Sequence, residues 1–254
     1  MCYHSSSLTK SALKYAKHRG HDPKIIAQLE MELEKLEKTA YYHASGYSHP
    51  KLLVFTNDKP FTPQLFHWGL IPSWCKDEAA AKRSMQQTLN ARGETIFSLA
   101  SFKDSAKSKR CLVYLDAFYE FHHLNKKTFP FRISASDDSP LAVAGLWNEW
   151  ANPLGSGEVI STFSIVTTTG NSIMAKIHNN PKAEMGPRMP VILQRDKQDE
   201  WLDSSASKEA IEALIKPLPE NLIQYHTVGK LLGKEAIGNK PEVANEVKYA
   251  EIDF

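Results

Sequence analysis

Nowhere in the 254 residues is there an apolar run approaching the ~18 residues of a membrane span. The start, Met1-Cys2-Tyr3-His4-Ser5-Ser6-Ser7, also lacks the apolar stretch of a secretory signal. These absences lead us to expect a cytoplasmic protein with no membrane partner. Cysteine is scarce: Cys2, Cys75 and Cys111 are an odd set without metal-type spacing, which argues against a disulfide framework and a zinc site. Neither a metal nor a cofactor is expected. An excess of one charge is missing too. Lysine and arginine total 31 against 29 acids, a formal balance of +2, so no global polycation draws the chain to nucleic acid or anionic lipid. Such a partner must be held by a local patch. There is no internal repeat, low-complexity tract or long linker, which leaves one domain over residues 1–254.

Hydrophobic residues make up 42% and charged residues 24%, values of a globular chain with length enough to bury a core. His21-Asp22-Pro23 followed by Ile26, Leu29, Leu33 and Leu36 reads as an N-cap, a proline in the first turn and one apolar helical stripe. The other face, with Glu30, Glu32, Glu34, Lys35, Glu37 and Lys38, is a solvated surface. From Lys51 onward, short β-branched and aromatic runs predict strands at Leu52–Thr56, Leu65–Gly69, Cys111–Asp116, Phe129–Ser134, Leu141–Trp147 and Val159–Thr168. Glu78–Gln87 and Glu94–Ala100 read as short helices, and Lys103–Arg110 as a basic loop. Asp196–Ile215 suggests one or two helices, and Leu222–Val228 a last strand before a polar tail. The expected class is α+β: a β-rich single domain with mixed and antiparallel barrel-like sheets and peripheral helices.

Cys2 carries distinctive chemistry. Removal of Met1, which a small second residue generally permits, places an α-amine and a thiol on one residue. They titrate near about 8 and about 8.5 when unperturbed, so both nucleophiles are partly available at neutral pH. Such a 1,2-aminothiol condenses with an aldehyde to an imine and closes to a thiazolidine, or attacks acyl groups. A cysteine at a chain terminus is also compatible with no chemistry at all.

Four further segments accompany it: His67-Trp68-Gly69-Leu70-Ile71-Pro72-Ser73-Trp74, Leu89-Asn90-Ala91-Arg92-Gly93-Glu94-Thr95, Phe118-Tyr119-Glu120-Phe121 with the preceding Arg110-Cys111-Leu112, and Ile177-His178 with Arg188-Met189-Pro190-Val191-Ile192-Leu193. In this order, with Cys2 at the front, they resemble the SOS-response-associated peptidase family of abasic-site processing proteins. The resemblance extends over nearly the whole chain.

The resemblance implies a β-rich single domain of the DNA damage response that binds single-stranded DNA and captures abasic sites covalently through Cys2; a monomer is expected. Asn90, Glu120 and His178 match the family's catalytic asparagine, glutamate and histidine. An abasic deoxyribose is mostly a closed hemiacetal, so protons must move before the amine meets an aldehyde; His178 and a Glu120 of raised pKa suit that task, while Asn90 holds the amine or a sugar hydroxyl. Trp68 and Trp74 offer planar faces to unstacked bases, and Arg92 a bidentate phosphate contact. Thr167 and Thr168 resemble positions near the DNA backbone, and Lys103, Lys107, Lys109 and Arg110 border the groove or form a solvated loop. Taken singly, Glu120 reads equally as a paired carboxylate, His178 as a loop histidine, Asn90 as a turn cap and Trp68 as core.

The chain departs from the family pattern in four places. Tyr3-His4 stands where Gly-Arg is usual, leaving His4 as a weaker phosphate contact. Phe121 replaces a tryptophan, residues 23–38 look like a helical expansion, and residues 179–187 separate His178 from Arg188 where the pattern has a single residue. Three functions compete: an abasic-site sensor and crosslinker with possible lyase chemistry, localised to the nucleoid when bound to DNA; a cysteine peptidase, in the limit acting on its own N-terminus alone; and a non-catalytic single-strand-binding module.

Overall fold

The computed structural model describes residues 2–7, 13–14, 17, 22–35, 41–153, 155, 157–181 and 186–254. Its strands are β1 (His4–Ser7), β2 (Tyr41–Ser45), β3 (Lys51–Thr56), β4 (Lys59–Trp68), β5 (Asn90–Arg92), β6 (Arg110–Leu115), β7 (Ala117–Leu124), β8 (Lys127–Ala135), β9 (Leu141–Ala151), β10 (Val159–Thr169), β11 (Arg188–Pro190) and β12 (Ile223–Thr227). The helices are α1 (Pro23–Lys35), α2 (Glu78–Gln87), α3 (Lys103–Ser108), α4 (Ser172–Ile177), α5 (Gln198–Leu202) and α6 (Lys208–Leu214).

Strands β4, β3, β6 and β9 pair in antiparallel succession, β9 pairs with β10, and β10 returns to β4 in parallel, with Phe163 opposite Trp68. Five strands thus close into a barrel, which removes the exposed edges an open sheet would present. Both faces of its strands are covered. Leu52, Val54, Cys111, Val113, Val143 and Phe163 join one apolar cluster with Phe118 and Phe131 of β7 and β8. The alternate residues Leu53, Phe55, Leu112, Tyr114, Ala144 and Leu146 pack with Leu29 and Leu33 of α1 and with Trp201, Ile211 and Leu214 of α5 and α6. Double burial explains why these strands read as unbroken apolar runs, and each large side chain removed from water contributes about 1.5–3 kcal/mol.

The second sheet runs β12-β8-β7-β1-β2. Its central hairpin, β7–β8, turns through Asn125 and Lys126, both with positive φ (50° and 62°), the mirror-type turn that matches strand twist. Side chains cap several helices: Asp22 accepts from Lys24 N (2.7 Å), Asp77 from Ala80 N (2.7 Å), Asn171 from Met174 N (3.0 Å) and Ser207 from Ala210 N (3.2 Å).

The α+β, β-rich expectation holds, with local corrections. The segment read as a basic loop is α3, because Phe102 and Ala106, four residues apart, give it a buried face. Arg110 is not on a groove: it is buried at the start of β6, donating to the carbonyls of Ala106 (2.8 Å), Lys107 (2.9 Å), Trp201 (2.7 Å) and Asp203. Glu94–Ala100 forms no α-helix but a 3-10 turn, Gly93–Thr95, and further turns, since Ile96 alone among residues 94–100 is buried. Strands β1 and β2 were not foreseen, as the polar sequence His-Ser-Ser-Ser of β1 is buried by its pairing between β2 and β7 rather than by hydrophobicity. Met1, His21, Leu36, Glu37 and Lys38 lie outside the described residues, as do 182–185 of the segment after His178. No described helix is long and apolar enough to cross a membrane.

Candidate active site around Cys2

Two pairings bring the sequence motifs together. Strand β1 lies antiparallel to β7 with His4 opposite Tyr119, so the residues before His4 run alongside Glu120. Strand β10 has β5 on one side, with Asn90 opposite Ile165, and β11 on the other, with Thr169 opposite Arg188. The junction of these assemblies is Cys2. It is fully buried, its carbonyl accepts a hydrogen bond from Asn90 Nδ2 (2.9 Å), and its thiol donates to the His4 carbonyl (3.7 Å). Asn90 Oδ1 is buried and has no hydrogen-bond partner among the described residues, which leaves an acceptor next to the Cys2 backbone.

His178 ends α4. Its backbone N–H donates to Met174 O (2.8 Å), and its Nδ1 donates to Arg188 O (3.3 Å) or accepts from Arg188 N (3.4 Å) according to tautomer. The same nitrogen is 3.9 Å from Glu120 Oε1. Just beyond this histidine, Asn179 pairs reciprocally with the backbone of His123 at the end of β7, accepting at 2.7 Å and donating at 3.0 Å, which ties the chain after His178 to that strand.

Burial sets the protonation states. It raises the Glu120 carboxyl to about 7 and lowers the His178 imidazole to about 4. The Cys2 thiol is pushed well above its ordinary range, first by burial and then by the nearby Glu120 charge. At neutral pH the thiol is therefore protonated and the imidazole neutral, while Glu120 is divided between acid and carboxylate. Glu120 alone of the three can both give and take a proton there.

Sequence reasoning missed the ties behind these groups. Arg188 is buried and grips Glu94 with two hydrogen bonds (2.9 and 2.8 Å) while also donating to Thr167 O (2.9 Å). Burial opposes ionisation of Glu94, but the Arg188 hydrogen bonds win and hold its carboxyl below the usual range. This fork joins the Asn-Ala-Arg-Gly-Glu-Thr segment to the Arg-Met-Pro segment. The signal was present in the motifs themselves, as one acid and one base that no catalytic role absorbed.

The residues expected to touch DNA divide. Trp68 is fully buried, stacked on Phe163 with centroids 6.2 Å apart and donating to Leu89 O (2.8 Å); it shows no face to a base and instead supports the approach to Asn90. His4 is buried, and its Nδ1 lies 3.0 Å from His43 Nε2; burial and the neighbouring imidazole lower it to about 4, so it offers no positive charge to a phosphate. Thr167 and Thr168 are also buried, between strands β5 and β11 that cover both sides of β10. Trp74 is 52% exposed and Arg92 partly exposed. A cavity of about 300 Å³ opens beside Glu120, lined among others by Tyr3, His4, Phe121, His123 and Lys230. Among the described residues, no three histidine, cysteine or acidic side chains are grouped to hold a metal ion.

The chain is similar to several known proteins. The chain is 34% identical over 178 residues to the abasic site processing protein YoqW of Bacillus subtilis (strain 168), covering 69% of this chain and 73% of that one. It is 33% identical over 196 residues to the abasic site processing protein HMCES of Xenopus tropicalis, covering 69% of this chain and 54% of that one. A crystal structure of a protein from Bacteroides thetaiotaomicron superposes with a TM-score of 0.82 at 30% identity, over 97% of this chain and 100% of that one. The family model described as SOS response associated peptidase (SRAP) matches residues 1–235, and the chain, with Cys2 set among the motif segments, belongs to that family.

Proposed function

We propose that the protein processes abasic sites in single-stranded DNA by trapping the ring-opened sugar as a thiazolidine on Cys2, once Met1 has been removed. The observation that carries this reading is the grouping of Asn90, Glu120 and His178 around a buried N-terminal cysteine, with Asn90 bonded to the Cys2 carbonyl and Glu120 poised near neutrality.

The chemistry follows from the protonation states. Opening the hemiacetal takes the proton from the C1′ hydroxyl and delivers one to the ring oxygen as the C1′–O4′ bond breaks; neutral His178 accepts or relays it, and the acid form of Glu120 donates. The Cys2 α-amine then attacks the C1′ aldehyde carbon. The carbinolamine loses its hydroxyl as water, protonated by Glu120, to give an imine. The thiol adds to the imine carbon, passing its proton to the nitrogen by way of the Glu120 carboxylate. The sum is aldehyde plus aminothiol giving thiazolidine plus one water. Asn90 Oδ1 is the acceptor that holds the amine in place.

The raised thiol favours this amine-first order over a cysteine peptidase, which begins from a thiolate. The imine is also the intermediate from which strand cleavage by β-elimination would start, so ring closure by the thiol competes with lyase chemistry. On this reading Trp74 and Arg92 meet the DNA, while Trp68 and Arg110 act only through the core.

Intact mass spectrometry after incubation with an abasic single-stranded oligonucleotide tests the proposal. Protein lacking Met1 should gain the oligonucleotide mass less one water, and Cys2→Ala should form no stable adduct. Failure of correctly processed protein to form the adduct, in a solution where a simple aldehyde modifies its amine, would overturn the reading.

A further inference from the structure

The turn that follows β2 places an aromatic pair beside the nucleophile. Gly46–Ser48 forms a 3-10 turn whose first residue donates its N–H to the carbonyl of Tyr3 (2.8 Å), the residue next to Cys2. Gly46 lies on the ring of the buried Trp68, where an added Cβ would stand 3.3 Å from three ring carbons, tighter than ordinary van der Waals contact, so a side chain there would press on the buried indole. His49 closes the turn in the left-handed region (φ 49°), with Nδ1 2.7 Å from Trp68 O and Nε2 2.9 Å from Gln86 Nε2. Ser48 Oγ donates to Ser45 O (2.8 Å). The turn is thus held from both ends and from below.

On it stands Tyr47, 53% exposed, with its ring centroid 5.0 Å from that of half-buried Tyr3 and inclined by 30°. The two side chains are also hydrogen-bonded, and Tyr3 feels the charges of Glu120 and Arg92. A single exposed tyrosine needs no explanation. Here the ring stands on a clamped turn and is backed by a second ring, one that feels both the carboxylate of the site and an arginine.

We propose that Tyr3 and Tyr47 form a platform on which the nucleobase next to the abasic residue stacks. This rests on the single-stranded DNA reading and adds to it a means of sensing a missing base. In an intact strand each base can cover its neighbour. Beside an abasic residue one base face is left bare, and an aromatic surface next to the nucleophile covers that face while the sugar occupies the site. Stacking is indifferent to base identity, which suits a lesion that occurs in any sequence. Arg92, at the Tyr3 side of the platform, takes the adjoining phosphate.

The test uses a tetrahydrofuran abasic analogue, which cannot open to an aldehyde and so reports binding alone. Its single-stranded oligonucleotide carries 2-aminopurine next to the analogue, on one side and then the other, and affinity is read by anisotropy. Wild-type protein should quench the 2-aminopurine on one side. Tyr47→Ala should lose that quenching and bind about 5- to 100-fold more weakly, the span expected for one stacked base; Tyr47→Trp should retain both. Deleting the flanking base should weaken wild type by a similar factor and leave Tyr47→Ala nearly unaffected. Equal affinities for wild type and Tyr47→Ala, or equal losses on deleting the base, would overturn the platform. The covalent assay with a natural abasic strand is scored separately: an adduct without any Tyr47 effect removes this inference and leaves the function standing, whereas no adduct removes the function while the binding cycle still decides the platform.

Discussion

At the scale of single residues, the site is governed by burial acting on groups of opposite charge type. The Glu120 carboxyl is raised from 4.5 to about 7, so the folded protein holds a proton that the unfolded chain has released across that interval. Stability contributed by the acid form is therefore lost as pH rises from about 4.5 to 7, and by pH 8 the cost of the buried carboxylate reaches on the order of 3 kcal/mol. Glu120→Gln should raise the melting temperature at pH 8 and change it little at pH 4.5, as read by thermal denaturation at both pH values. The same variant should slow adduct formation by about 10²- to 10⁴-fold and abolish the transition near pH 7 in the wild-type rate profile, since an amide neither gives nor takes a proton at these pH values. His178 and His4 act in the opposite direction: both are lowered from 6.5 to about 4, so the unfolded state gains protons first and stability falls as pH drops through that window. His178→Gln should flatten this acid limb of a stability-against-pH curve; an unchanged limb would mean that His178 is not held neutral.

At the scale of elements, the motif segments matter as much for what they hold as for what they present. Strands β5 and β11 are three residues each, too short to hold their register unaided, and the Arg188–Glu94 fork links their two segments alongside β10. Arg188→Ala removes both hydrogen bonds to Glu94 and the one to Thr167 O while leaving the half-exposed Glu94 to water, and should cost about 1.5–3 kcal/mol in denaturant unfolding. Glu94→Gln, changed at a half-exposed carboxylate, should cost about 1 kcal/mol in the same measurement while slowing adduct formation, because the Arg188 backbone orients His178. Gly69 shows a different constraint. It follows β4 with φ 120°, and a Cβ there would lie 2.8 Å from both His49 Nδ1 and Met85 O. Gly69→Ala should lower stability by more than about 1 kcal/mol in thermal melts, for it combines a left-handed backbone with two close contacts.

At the scale of the whole molecule, a formal charge of +2 means that any DNA affinity is local. If Arg92 meets a phosphate, Arg92→Gln should reduce the slope of log K against log salt by about 0.7, the single-strand value for one lost phosphate contact, in titrations at several salt concentrations; an unchanged slope would remove Arg92 from the interface. Much was legible in the sequence. Local patterns of apolar residues, turn formers and helix caps suffice for the β-rich class, most barrel strands and α1, since each depends on neighbours within a few positions. The same holds for Cys2 as a candidate, since the proposed aminothiol chemistry depends on its place in the chain. Burial and contact belong to the tertiary structure. Trp68 and Trp74, six positions apart, look alike in sequence, yet one is fully buried and bonded to Leu89 O while the other is half exposed. Arg110 reads as part of a basic surface run until four carbonyls converge on it. The serine-rich β1 gives no hydrophobic signal because strand pairing, not apolar periodicity, buries it. Whether a polar side chain reacts, clamps or stays solvated depends on desolvation by residues distant in the chain, and closure of the barrel is what brings those residues together.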